Sequence, residues 1–298
     1  MPHSDYDIIH AILNTVVYAD IFDYPLTLPE IHRYLTGSSA SLETVSGLID
    51  SNSFLRKVGC YYTLPGRESI VEKRERRERV AARLWPEAIR YGRMIASLPF
   101  VRMVAVTGSL AMRNVEADAD IDYLIVTSPG RLWLARLLSL VVTRLAAFRG
   151  VSLCPNFLLT QNALEIPERS LYSAHEFVQM TLLSGNELFQ RMRSLNLWVQ
   201  DFLPNAYGLP SVIGDYTAAD SAPLLQPLLE MILLTPPGAW LERWEMDRKI
   251  RKLSVENPDN PEATFSADLC KGHANRHGLR TKLSMDERLA RLELELVQ

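Results

Sequence analysis

Apolar residues fall at helical spacing from Tyr6 to Ile21, where Ile8, Ile9, Ile12, Leu13, Val16 and Val17 would share one face of a helix. Tyr24-Pro25-Leu26-Thr27 breaks this pattern. Thr27 or Leu28, followed by Pro29 and Glu30, predicts a second helix start, and the helix continues through Ile31–Leu35 to Gly37. A third helix is expected over Ser41–Asp50 with Leu42, Val45, Leu48 and Ile49 turned inward. Two short extended runs, 54–58 and 60–64, flank Gly59 as a β-hairpin. Residues 68–98 read as one long helix that Pro86 should bend or divide.

The pattern then changes period. Val101–Val106 is a valine-rich run suited to a buried strand, and Leu110–Asn114 has room for about a turn and a half of helix. A second strand is predicted over Asp120–Val126, a helix over 131–148, and a third strand over Val151–Thr160. Residues 163–298 read as all-helical: Ser170–Leu183, Glu187–Leu203, and Pro227–Leu253 broken at Pro236-Pro237-Gly238, with a loop from Pro204 to Pro223 and a polar linker from Val255 to Thr264. The resulting division is 1–66, a connecting helix 67–98, a core 99–162 and a helical part 163–298, an α+β chain with a small mixed sheet at its centre.

Composition narrows the functional classes. The chain has 298 residues, is 47% hydrophobic and 22% charged, and carries a net charge of −3, which excludes a generally basic nucleic-acid coat. Three scattered cysteines (Cys60, Cys154, Cys270) fit a reducing compartment and a cytoplasmic location. The start of the chain lacks a basic and apolar leader. Leu132–Phe148 imitates a membrane span, but Arg136 and Arg144 lie inside it, so a helix packed on a sheet is expected and no membrane contact.

Candidate chemistry concentrates in residues 101–126. Gly108-Ser109 ends the first strand, and such a turn exposes backbone N–H groups that favour phosphate. Asp120 and Asp122 are two apart, on one face of an extended segment. Paired carboxylates repel and desolvate badly, and a divalent cation with a taste for oxygen ligands relieves both problems. A phosphate cradle at one end of a strand and metal-binding acids at the other is the layout phosphoryl-type transfer needs.

These residues resemble the DNA polymerase-β-type nucleotidyltransferase superfamily, whose signature is a Gly-Ser turn, a spacer of about ten residues and an Asp-hydrophobic-Asp strand. Here Leu110–Ala119 separates Gly108-Ser109 from Asp120-Ile121-Asp122. The resemblance implies a nucleotidyltransferase core that transfers a nucleoside monophosphate from an NTP to an acceptor hydroxyl. Gly108 and Ser109 would hold the nucleotide, and Asp120 and Asp122 would be catalytic and hold Mg²⁺, with Mn²⁺ as an alternative. Superfamily members usually carry a third carboxylate on a later strand. In the third strand here the polar residue is Asn156, placed on the nucleotide-site wall, with Glu165 and Glu176 as the nearby acids that could substitute.

The three helices and hairpin of 1–66 resemble a winged helix-turn-helix, implying a protein or DNA contact. The third helix has two acids and no base, which favours protein. A regulator that senses nucleotide and turns it over poorly is therefore the rival reading. The run Glu72–Arg79 reads as a solvated helix face, with Arg74 or Arg77 reaching the nucleotide as the alternative. The cations Arg243, Arg248, Lys249, Arg251 and Lys252 form a second charged face that could meet phosphates. Cys270, His273 and His277 offer three zinc ligands, one short of a structural site.

Overall fold

A computed structural model of the chain describes residues 4–206, 225–258, 260, 263–272 and 277–296. The first unit comprises α1 (Asp5–Asp20), β1 (Leu26–Thr27), α2 (Leu28–Arg33), α3 (Leu42–Ser51), β2 (Arg56–Val58) and β3 (Tyr61–Thr63). Ser4 and Asp7 form a capping box that starts α1, and Thr27 with Glu30 does the same for α2. Ile12, Val17, Ile31, Leu35 and Val45 bury between the helices, whereas Leu42 stays exposed at the first turn of α3, against expectation. The sequence predicts a break at Leu26-Thr27, with Thr27 or Leu28 starting a helix, and no strand. Leu26 and Thr27 instead pair with Tyr62 and Tyr61, so the hairpin becomes a three-stranded sheet in the order β1-β3-β2.

α4 (Ile70–Ala96) leaves this unit as one continuous helix with Pro86 inside it, so the proline does not divide it. Ala81, Trp85, Ala88, Tyr91 and Ile95 bury along one face on both sides of the proline and hold the helix together despite the lost hydrogen bond. Arg74 is 5% exposed and donates to both oxygens of Glu30 at 2.8 Å, to Glu78 at 2.9 Å and to the Pro25 carbonyl. It also stacks over the rings of Tyr24 and Tyr61. Arg74 is therefore a bolt between α4 and the first unit, and has no reach towards a nucleotide.

The central sheet begins with β4 (Val101–Thr107), α5 (Gly108–Ala111), β5 (Ile121–Thr127), α6 (Leu132–Ala147) and β6 (Leu153–Thr160). It continues through α7 (Leu171–Gln179), β7 (Thr181–Ser184), α8 (Asn186–Leu195), α9 (Val199–Phe202), α10 (Leu225–Leu233), α11 (Pro236–Glu256), β8 (Thr264–Phe265), β9 (Leu269–Lys271) and α12 (His277–Leu296). The six strands run in the order β7-β4-β5-β6-β9-β8. β5 and β6 are parallel, joined through α6, and the other neighbours are antiparallel. The chain is α+β with a mixed sheet.

Alternation along β5 sends Ile121, Tyr123 and Ile125 into a core with α4 and α6, while Leu124 and Val126 meet α7 and the elements after it. Three strands thus come from the part expected to be all-helical, and they extend the core sheet on both edges. β7 lies where the sequence predicts helix: Leu182 and Leu183 are buried in opposite cores, which removes any alternation. β8 and β9 are two and three residues long, too short to show a period.

The helix expected over 187–203 divides at Asn196. Its buried side chain accepts from Ile166 N at 2.8 Å and Trp198 Nε1 at 3.0 Å, and donates to Leu164 O and Met192 O. The loop expected over 204–223 lies almost wholly outside the described residues. α12 returns to the first unit: Met285, Leu289 and Leu292 pack on its core, and Arg288 donates to the buried Asp20 at 2.9 Å. Among the described residues no helix is long and apolar enough to cross a membrane.

Candidate functional site

β4 ends at Thr107, directly opposite Asp122 on β5. The next residue, Gly108, has φ +66°, a backbone conformation that L side chains rarely adopt. A Cβ placed on it would lie 2.6 Å from Asp122 Oδ2. Glycine is needed here twice, for the turn and for the approach of the acid. The helix that follows is only Gly108–Ala111, shorter than expected and starting earlier, so its dipole is small. The turn's donors are the N–H groups that no helix bond uses. Asn114 N donates to Ser109 O at 2.9 Å and closes the turn, while Arg77 grips Asn114 and Glu116 in the loop beyond. Arg77 also donates to the Phe22 carbonyl, so it ties this loop to the turn after α1.

Asp120 is exposed just before the strand, and Asp122 is partly buried within it. Burial first, then the charge of Asp120, push the Asp122 carboxyl up to about 7, against a hydrogen bond with Cys154 that acts the other way. Burial and the same two acids push the Cys154 thiol up to about 12, so it stays protonated. Between Asp122–Leu124 on β5 and Cys154–Phe157 on β6 the register slips by one residue. This bulge turns Asn156 towards the site, where its Nδ2 donates to Asp122 Oδ1 at 2.9 Å. Asn156 Oδ1 is buried and has no hydrogen-bond partner among the described residues.

Glu176, on α7, approaches from the facing layer. Burial and then the charge of Asp122 push its carboxyl up to about 7, while Lys271 draws it down. Lys271 is itself held by Glu168 at 2.6 Å. Glu165 is exposed and pairs with Arg169, so it plays no part. Next to Glu176 on the helix, His175 is buried and stacks on Tyr18 of α1, with ring centroids 4.0 Å apart and planes 9° from parallel. Burial pushes this imidazole down to about 3, so it is neutral. The first unit thereby rests against the helix that carries Glu176.

Gly108, Asp120, Asp122 and Asn156 come together as the sequence places them, with Ser109 on the same turn. Cys154 and Glu176 complete the surroundings. Cys154 was legible as the strand neighbour of Asp122 only once the β5–β6 register was known. Glu176 stood out merely as a nearby acid. Two carboxylates of like charge, Asp120 and Asp122, and an amide oxygen lacking a partner among the described residues form an oxygen-donor set that fits a hard divalent cation. Among the described residues no three His, Cys, Asp or Glu side chains converge closely enough to hold a metal. Cys270 is buried in β9, and His273 and the side chain of His277 lie outside the described residues.

Of the charged face on α11, Arg248 pairs with the buried Glu245 at 2.6 Å, Arg243, Arg251 and Lys252 are exposed, and Lys249 lies close enough to Arg136 to feel its charge, which also acts on Cys154. A cavity of about 370 Å³ opens between α7, α8 and α9, lined by Phe177, Arg193, Gln200 and Leu203 among others, but by neither aspartate. No protein-family model matches the chain, and no curated protein and no solved structure matches it.

Proposed function

We propose that the chain is a nucleotidyltransferase that moves a nucleoside monophosphate from an NTP to an acceptor hydroxyl. The observation that carries this reading is the contact between cradle and acids: the Gly108 turn lies against Asp122, with room for no side chain between them. In this reading anion donors and cation ligands face one space, as the resemblance to the polymerase-β-type superfamily implies. Gly108 and Ser109 would orient the triphosphate. Asp120, Asp122 and the Asn156 amide oxygen would hold Mg²⁺ or Mn²⁺, which when bound supplies charge neutralisation at the reacting phosphate.

Asn156 fixes the rotamer of Asp122, and Glu176, whose carboxyl feels the charge of Asp122, would accept the acceptor's proton once ionised. A carboxyl pushed up to about 7 is poised for that transfer near neutral pH. The first 66 residues, with their winged-helix-like order of helices and hairpin, act as a protein-contact module in this scheme. The α3 face offers Glu43 and Asp50 and no cation to DNA phosphates.

The test is isothermal titration of the full chain with each NTP, with and without Mg²⁺, together with a pyrophosphate-release assay. Mg²⁺-dependent binding that is lost in Asp120→Asn and Asp122→Asn is expected. NTP binding indifferent to Mg²⁺ and to both substitutions would remove the proposal. The rival, a nucleotide-sensing regulator, draws on the lack, among the described residues, of a third acid that closes on the pair. It predicts tight NTP binding with no pyrophosphate released from any acceptor mixture.

A further inference from the structure

α10 is built inside out. Its polar residues face the body of the protein: Gln226 Nε2 donates to Leu98 O at 2.9 Å and Val101 O at 3.2 Å. Glu230 takes the Phe100 N–H at 2.7 Å and both arms of Arg102 at 2.7 and 2.8 Å. Its apolar residues face outward. Leu225, Leu228, Leu229, Met231, Ile232 and Leu234 are between 44% and 66% exposed. At 100° per residue, Leu225, Leu228, Leu229, Met231 and Ile232 span one continuous arc opposite Gln226 and Glu230. Beyond the corner at Thr235, the stacked indoles of Trp240 and Trp244 are 60% and 46% exposed on α11.

We infer that this face is the contact between two copies of the chain. Five polar bonds fix the helix in an orientation that a monomer in water would not choose, because a helix normally buries its apolar stripe. With large side chains of on the order of 150–250 Å² each at these fractional exposures, the eight residues present roughly 700–1,100 Å², about one partner's share of a standard interface. A two-fold axis through α10 sets the same leucine-rich arc against itself, so the surface needs no second design. The outward arc carries no cation, and its one charged residue, Glu230, is turned inward. Helices that rest on anionic lipid carry Lys and Arg along the polar side, and α10 has none. A second copy therefore fits better than a membrane surface.

Sedimentation equilibrium on the full chain at tens of micromolar, above the weakest dissociation constants of interfaces this size, decides the matter. A mass twice the 33.8 kDa of one chain is expected. Leu228→Glu and Ile232→Glu should each return the mass to a single chain with an unchanged far-UV circular dichroism spectrum. Wild-type protein at the single-chain mass, including a monomer that floats with anionic vesicles, overturns the inference, as does a dimer that survives both substitutions. Should either variant fail to fold, hydrogen exchange of the wild type replaces it. Amides 225–233 should lose protection on dilution to nanomolar, and protection independent of concentration is equally fatal.

Discussion

Replacing Asp122 by Asn should stabilise the metal-free protein at about pH 8 while removing Mg²⁺-dependent nucleotide binding. Burial and the charge of Asp120 push this carboxyl up to about 7. A folded-state value above the unfolded one favours folding below the unfolded value, near 3.9, and that contribution disappears as pH rises through about 7. Each pH unit between the two values corresponds to about 1.4 kcal/mol, so holding the ionised form in place costs up to about 4 kcal/mol. Partial exposure of the side chain lowers this figure, and Asn cannot replace every acceptor that Cys154 and Asn156 use, so about 2 kcal/mol is the expected net gain.

For a chain of this size that corresponds to a rise of roughly 4–8 °C in Tm. Thermal unfolding of both proteins in EDTA, from about pH 4 to pH 8, reads it directly: the difference should shrink to a few tenths of a kcal/mol near pH 4, where the aspartate is protonated in the folded state. A loss of stability at pH 8, or a gain of the same size at every pH, would refute the electrostatic account of the site.

Gly108→Ala should cost at least 1–2 kcal/mol in denaturant unfolding, from the positive φ and the 2.6 Å approach to Asp122, and should weaken NTP binding in titration. Glu176→Gln is expected to leave NTP affinity unchanged and to lower pyrophosphate release about 10²-fold or more, with loss of the ascending limb of the pH–rate profile near 7. Arg74→Ala strands Glu30 in a largely buried setting and should cost about 3–5 kcal/mol, read as a lower urea midpoint. If Arg74 instead served the nucleotide, binding would fall and the midpoint would hold.

The parts of the fold and site that could be read beforehand are those whose cause is local. Capping residues Thr27 and Glu30, the Gly108 turn, and the spacing from Gly108 to Asp120 and Asp122 all act over a few residues. What escaped depends on partners far away in the chain. Leu182 and Leu183 sit in opposite cores, so β7 carries no alternation to read. Asn196 ends α8 through bonds to Leu164 and Ile166, some thirty residues earlier. Arg74 looks like one more member of a solvated charge run until Glu30, Tyr24 and Tyr61 are seen around it. Asn156 is legible only as a polar residue in the third strand; its bond to Asp122 needs the β-bulge, which no local pattern announces.

Arg288 and Asp20 are separated by 268 positions, yet one neutralises the other. On the ribosome, at about 5–20 residues per second, the opening helix must wait roughly 15–50 s for α12 to be made. Throughout that interval the flank later occupied by Met285, Leu289 and Leu292 is bare, and a buried-to-be aspartate has lost one of its two guanidinium partners. The nascent chain is therefore exposed to chaperones and proteases around α1 until α12 is made, and truncation within α12 should be felt first at α1.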